Sequence, residues 1–222
     1  MTVLQGAPVA LVLAAGKSRR LGQNKLFAPL QGIPVLERVV TNFLKAKKVR
    51  DVVVVHPPEQ ADAFTWLRSV RVHLVENPDP SKGMISSIRA GLHSGWAEGH
   101  DFLVHPGDAP FVAPEIIDRV IHAFMARDCR IVIPAYLGLG GHPTMFAADL
   151  AHEFFLHGDA QGPREILIRF QKETARVNVH DPDVCFDIDC EEELERAEDP
   201  SARWACVERK VEAKRKERLG LR

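Results

Sequence analysis

Residues 9–25 read Val9-Ala10-Leu11-Val12-Leu13-Ala14-Ala15-Gly16-Lys17-Ser18-Arg19-Arg20-Leu21-Gly22-Gln23-Asn24-Lys25. Five consecutive apolar residues, Val9 to Leu13, leave no polar face, the pattern of a strand buried on both sides. The run then breaks into a polar, glycine-bearing loop from Gly16 to about Lys25. In sheets built of such strands, ligands bind beyond the carboxyl ends, so this loop is the first place to look for chemistry. Gly16 and Gly22 let the backbone approach a ligand and turn amide N–H groups towards an anion. Arg19, Arg20 and Lys25 add three cations, and the small Ala14 and Ala15 leave room for a flat group above the strand end. These features suit a triphosphate, with Lys25 as a point charge, and they equally suit an ordinary solvated Gly/Lys loop. The spacing is neither G-x-x-x-x-G-K-[ST] nor G-x-G-x-x-G, which excludes those two phosphate-binding designs.

Outward from this loop, apolar runs alternate with helix-length amphipathic segments. Strands are predicted at 52–55, 70–75, 102–104 and 131–133, and helices at 34–45, 58–68, 85–94 and 114–127. Beyond Ala135 the pattern loosens. A short strand is predicted at 144–146, a helix at 164–172, strands at 176–179 and 185–188, and a helix at 191–197. All-apolar strands separated by helices predict an α/β fold of three α/β/α layers around a mostly parallel, Rossmann-like sheet with right-handed crossovers. Residues 1–200 are expected to form one domain, followed by a basic helical tail at 201–222.

Composition narrows the function classes. The 222 residues carry 29 Lys+Arg and 30 Asp+Glu, a formal charge of -1, so the chain lacks the basic excess of a general nucleic-acid binder. No apolar window reaches the length of a membrane span, and the first eight residues lack the charged start of a signal peptide. Cys129, Cys185, Cys190 and Cys206 are scattered, with no Cys-x-x-Cys pair, so a reducing, cytoplasmic compartment is expected. The near-zero total hides an uneven distribution. Residues 203–222 hold eight Lys/Arg against three Glu, a balance of +5, which leaves -6 for the rest.

Three further stretches carry candidate chemistry. In Gly83-Met84-Ile85-Ser86-Ser87-Ile88-Arg89-Ala90-Gly91-Leu92, Ser86 and Ser87 fall at a helix start, where hydroxyls cap the backbone or face a ligand. His105-Pro106-Gly107-Asp108-Ala109-Pro110-Phe111 holds Asp108 in a rigid turn after a buried strand. Asp108 suits magnesium, which takes one or two carboxylates with phosphate oxygens, and equally suits a turn cap. Phe186-Asp187-Ile188-Asp189 offers a second carboxylate in Asp189, with Asp187 on the same strand face as the alternative; an N-cap for the next helix is the competing role of Asp189.

The first loop resembles, position for position, the Leu-Ala-Ala-Gly-x-Ser-x-Arg-Leu/Met-Gly-x-x-Lys signature of nucleotidyltransferases related to the molybdenum cofactor cytidylyltransferase. The stretches at 83–92 and 107–111 are similar to that family's Gly-Met-x-x-Ser-Leu/Ile-Arg-Ala-Gly and Gly-Asp-x-Pro-Phe motifs, and the resemblance covers about residues 8–198. It implies a nucleotidyltransferase fold of the GT-A type. Leu13, Ala14, Ala15, Gly16, Ser86 and Ser87 would bind the nucleotide, and Arg20 and Lys25 its phosphates. Mg²⁺ would sit on Asp108 and Asp189, making Arg20, Lys25 and Asp108 the catalytic set. Gly140-Gly141-His142-Pro143 resembles the family's Gly-His-Pro motif and would place His142 at the acceptor, although a lone turn histidine is more often structural. Two departures stand out: Cys190-Glu191 replaces Thr-Pro after Asp189, and Gly158-Asp159-Ala160-Gln161-Gly162-Pro163-Arg164 carries one inserted residue.

The implied reaction joins CMP from CTP (GMP less favoured) to molybdopterin, with release of pyrophosphate. A phosphate acceptor is already ionised at neutral pH, so no general base is needed, and positioning with charge neutralisation supplies the rate. Two other readings stand beside it: transfer to a sugar or isoprenoid-precursor phosphate, and a non-catalytic chaperone module that binds nucleotide or cofactor. Trp204, Val207 and Val211 are spaced to dock part of the tail on the domain, with the rest a solvated end or a contact for a molybdoenzyme or its chaperone.

Overall fold

The structure is a computed structural model describing residues 6–16, 25–126, 128–156 and 162–218. Arg19, Arg20 and Gly22 of the first loop, and Gly158–Gln161, lie outside the described residues. β1 (Val9–Leu13) is the expected buried strand, and its alternate residues enter two separate cores. Ala10 and Val12 face one side of the sheet, Val9 and Leu11 the other.

A small hairpin of β2 (Pro29–Leu30) and β3 (Ile33–Pro34) leads into α1 (Val35–Lys45), followed by β4 (Val52–His56) and β5 (Val72–Glu76). The chain continues through α2 (Met84–His93), β6 (Phe102–Pro106), α3 (Pro114–Met125) and β7 (Ile131–Tyr136). β8 (Leu139–Gly140), β9 (Thr144–Phe146), α4 (Glu153–Leu156), α5 (Pro163–Arg169), β10 (Thr174–Asn178), α6 (Glu191–Arg196) and α7 (Pro200–Arg218) complete it. The sheet runs in the order β5-β4-β1-β6-β9-β7-β10. Neighbours in it are parallel except β9, which lies antiparallel between β6 and β7.

Both faces are covered, as strands with no polar side require. α1 and α3 bury Leu36, Val39, Phe43, Ile117 and Val120 on the Ala10/Val12 side. α2, α4 and α5 bury Ile88, Leu92, Phe154 and Ile166 on the other. Gly91 lets α2 sit close to the sheet, because a Cβ there would lie 3.1 Å from Leu11 Cδ2 and 3.2 Å from Val55 Cγ2.

Three segments differ from the expectation. Residues 58–67 form a 3₁₀ helix rather than an α-helix, and its buried side chains, Phe64 and Leu67, follow the three-residue 3₁₀ repeat. Residues 185–188 form no strand. Pro182–Cys185 is a 3₁₀ turn started by Asp181, whose carboxylate accepts from Asp183 N, and Ile188 N bonds Asp108 O at 3.0 Å. The tail differs in part: residues 200–218 are one helix, docked through Val207 and Val211 as expected but not through Trp204. Trp204 is exposed, while Arg203 and Val207 are buried against the 182–185 turn.

Arg203 anchors that helix. Its guanidinium holds Asp183 in a fork at 3.1 and 2.9 Å, donates to Ala197 O at 2.6 Å, and lies 3.8 Å over the Phe111 ring. Removing one member of a buried pair leaves the other charged and without compensation. Arg203→Met should therefore cost about 3 kcal/mol or more of unfolding free energy. Arg203→Lys, lacking the planar fork, should recover only part of it. Urea denaturation measures both, and a loss below about 1 kcal/mol for Arg203→Met would contradict a stabilising role for the pair.

Candidate functional site

The carboxyl edge of the sheet gathers the site. β1 and β6 end side by side, with Leu13 opposite Pro106, and Gly107 N donates to Leu13 O at 2.9 Å. A Cβ on Gly107 would sit 3.0 Å from Leu13 O, so glycine keeps this turn tight and Asp108 close to the end of β1. Asp108 in turn accepts Ile188 N on its backbone carbonyl, which brings Asp187 and Asp189 to the same edge.

Lys25 joins these parts. Its Nζ lies 2.6 Å from Asp108 Oδ2 and 3.8 Å from Asp189 Oδ1, and donates to Ile188 O at 2.5 Å. Asp187 pairs elsewhere, with Lys210 of α7, at 2.6 Å. Burial raises the Asp189 carboxyl above the usual range, and the Asp187 charge adds to this against the Lys25 ammonium. Burial works against the Lys210 charge, but its bond to Asp187 prevails and raises the lysine.

Beside this cluster lies a cleft of about 340 Å³ lined by Leu13, Ala15, Gly16, Gly83, Ser87 and Asp108 among others. Of the sequence-predicted nucleotide residues, Ala14 is buried and its N–H is tied to Val55 O at 2.8 Å, so its side chain is not in the lining. Ser86 Oγ donates to Gly83 O at 2.8 Å, while Ser87 faces the cleft. Asn77, which the sequence reading passed over, is buried and donates to both hydroxyls, at 2.9 and 3.0 Å. Its setting in Asn77-Pro78-Asp79 reads only as a turn, so no local signal distinguishes it.

His142 lies within reach of the charges of Asp187 and Asp108. Its ring is buried, and among the described residues Nδ1 has no hydrogen-bond partner. Burial holds it below the usual histidine range although Asp187 and Asp108 pull the other way. The contact here is backbone against backbone: His142 N donates to Val184 O at 2.7 Å, and a Cβ on Gly141 would lie 2.2 Å from that oxygen. Only glycine fits there.

The donor set suits a hard divalent cation. Two carboxylates, Asp108 and Asp189, already share one positive charge, and magnesium or manganese takes such oxygens with phosphate and water completing the shell. Among the described residues no group of three or more His, Cys, Asp and Glu forms a self-sufficient metal site, so phosphate oxygens would have to complete it. Among the same residues no helix is long and apolar enough to cross a membrane.

Residues 10–175 match the profile of the MobA-like NTP transferase domain. A probable molybdenum cofactor guanylyltransferase of Thermococcus sibiricus is 29% identical over 58% of this chain and 62% of its own. The molybdenum cofactor cytidylyltransferase of Escherichia coli is 23% identical over 81% of this chain and 89% of its own. A 2-C-methyl-D-erythritol 4-phosphate cytidylyltransferase of Rhodococcus opacus is 36% identical over 59% of this chain and 56% of its own. The chain thus spans less than two thirds of the first and third of these relatives. In fold it is similar to a Mycobacterium tuberculosis protein solved in complex with manganese, with a TM-score of 0.60 and 22% identity over 86% of this chain and 97% of that one.

The ring beneath the site sets an acid limit on the structure. His105 Nε2 donates to Ala109 O at 2.9 Å, and burial, then the neighbouring His142, pushes the ring down to about 3. The unfolded chain takes up this proton near pH 6.5, and the folded chain does so only near pH 3. Stability is therefore lost as pH falls through that window, by about 2 kcal/mol from this ring between pH 7 and pH 5. Denaturation curves at the two pH values should show the loss. His105→Gln, whose amide can keep the bond to Ala109 O, should flatten it; an unchanged slope in the variant would refute the assignment.

Proposed function

The chain belongs to the MobA-like NTP transferase family, and on that premise we propose that it transfers CMP from CTP to the phosphate of molybdopterin, releasing pyrophosphate. The observation that carries this reading is Lys25 held between Asp108 and Asp189, with Asp108 itself in the lining of a cleft of about 340 Å³. The cytidylyl choice and the molybdopterin acceptor are supported by the Escherichia coli relative, which aligns over most of both chains. The setting would be the cytoplasm, in keeping with four scattered cysteines that form no Cys-x-x-Cys pair.

In this reading Leu13, Ala14, Ala15 and Gly16 shape the place of base and ribose, with Ala14 acting through its buried backbone. Ser87 offers a hydroxyl to the nucleotide, and Asn77 and Ser86 hold it in position. Lys25, with Arg20 from the preceding loop, neutralises the phosphates that leave. Asp108 and Asp189 would hold Mg²⁺, which when bound supplies positive charge at the reacting phosphate oxygens. On binding of a triphosphate, Lys25 exchanges carboxylate partners for phosphate oxygens, so its positive charge stays in the site throughout. His142 lies on the acceptor side as a neutral ring able to donate or accept one hydrogen bond. No side chain needs to remove a proton from an acceptor that is already ionised.

A second acceptor class has its own support. The Rhodococcus opacus relative acts, by its name, on 2-C-methyl-D-erythritol 4-phosphate, which favours a sugar or isoprenoid-precursor phosphate as the alternative. A panel of CTP, GTP, ATP and UTP against molybdopterin and this polyol phosphate, read as pyrophosphate release, decides between them. CTP with molybdopterin should give the highest kcat/KM, and Asp108→Ala should lower it by about 100-fold or more. Turnover undiminished in Asp108→Ala would sink the metal assignment. Silence across the whole panel would favour a non-catalytic binding module.

A further inference from the structure

Residues 186–189, which carry Asp187 and Asp189, lie outside every strand and helix, so no ladder fixes where their side chains point. The last helix supplies the missing anchor. Arg203 and Lys210 stand seven residues apart on α7, two helical turns, and so share one face. Arg203 holds Asp183 at 2.9 Å and Lys210 holds Asp187 at 2.6 Å, with Val207 buried between them. The two ion pairs clip the segment along the helix at points four residues apart. Arg203, Val207 and Lys210 all lie beyond residues 10–175, the part matched by the family profile.

The clip leaves the two neighbouring aspartates in different states. Asp187 is engaged by the Lys210 ammonium, whereas Asp189 is 3.8 Å from Lys25 and its side chain is 55% exposed. Glu193, a further carboxylate packed here, already accepts Asp189 N at 2.6 Å and the Cys206 thiol at 3.6 Å. For Asp187 to hold a cation it would have to give up Lys210, and the released ammonium would then repel that cation. Asp189 meets no such obstacle, and Asp108 lines the cleft.

We propose that Lys210 is a positioning residue that acts through Asp187: by occupying that carboxylate it reserves the divalent cation for Asp108 and Asp189 and keeps the nucleotide-free site a weak cation binder. The proposal rests on the transferase reading above, in which phosphate oxygens complete the shell. Two carboxylates beside two lysines leave most of the binding to the triphosphate. Three carboxylates beside one lysine would hold the cation without it.

Titration of the full, nucleotide-free chain with Mn²⁺, read by electron paramagnetic resonance of the free ion, tests this. Lys210→Met should tighten Mn²⁺ binding about tenfold, because it frees a third carboxylate. Lys210→Arg, which still pairs with Asp187, should stay within about twofold of wild type. Lys214→Met, which removes the same charge one turn further along without freeing an aspartate, should also stay within about twofold. No gain in Lys210→Met, or an equal gain in Lys214→Met, overturns the proposal. A second contrast leaves the helix untouched: Asp189→Asn should weaken Mn²⁺ binding about tenfold, and Asp187→Asn by no more than about threefold. Equal losses from these two variants also overturn it. If the wild-type chain releases no pyrophosphate, the transferase reading fails, and the Mn²⁺ titrations still decide whether Lys210 withholds Asp187.

Discussion

Three carboxylates at one edge of a buried sheet repel one another, and the architecture around the site follows from how that repulsion is offset. Asp108, Asp187 and Asp189 are brought together by backbone bonds that take no account of their charge. Lys25 compensates two of them and Lys210 the third. These lysines come from opposite ends of the chain, one just after the first loop and the other on the last helix. The site is therefore assembled only when the whole chain has folded, and its charge balance ties the ends to the middle. Burial sharpens the requirement, because a desolvated carboxylate without a cation would take up a proton rather than remain ionised.

Much of this was legible from the residues. Val9–Leu13 has no polar position, so it had to be a central strand, and the loop after it had to reach the ligand edge. Asp108 was visible because Gly and Pro bracket it after a buried strand. The 58–67 segment was misread because short 3₁₀ and α segments share apolar spacings of three. The strand expected at 185–188 failed for another reason: its apolar residues are buried by loops and α7 rather than by ladder partners, a tertiary effect that periodicity does not encode. Asn77 gave no signal, since a buried asparagine that orients two serines looks in sequence like any turn asparagine.

The last helix shows the limit of reading faces by hydrophobicity. Apolar spacing found Val207 and Val211, which pack on the domain, but it also pointed to Trp204, which is exposed, and it missed Arg203 and Lys210, the cations of the docking stripe that pair with Asp183 and Asp187. The stripe becomes readable only once the acidic surface beneath it is known. An excess of positive charge at the end of the chain looked like a solvated tail; instead Lys210 pairs with Asp187 at the carboxylate edge, and part of that excess is matched within the fold. That match also divides by environment. The Arg203–Asp183 pair is shielded from salt, while the half-exposed Lys210–Asp187 pair feels it.

The reversed strand β9 has a consequence for how such a protein can diversify. Parallel strands deliver chain to the ligand edge only as they end, whereas β9 delivers the segment that precedes it, Gly140 to Pro143, to that same edge. Lengthening the 137–143 connection would grow new chain at the edge that holds His142 and the carboxylates. Lengthening the connections at 46–51 or 97–101, which sit at the far edge, would leave that cluster untouched. One strand direction thus separates the loops free to vary from the loop that borders the carboxylates.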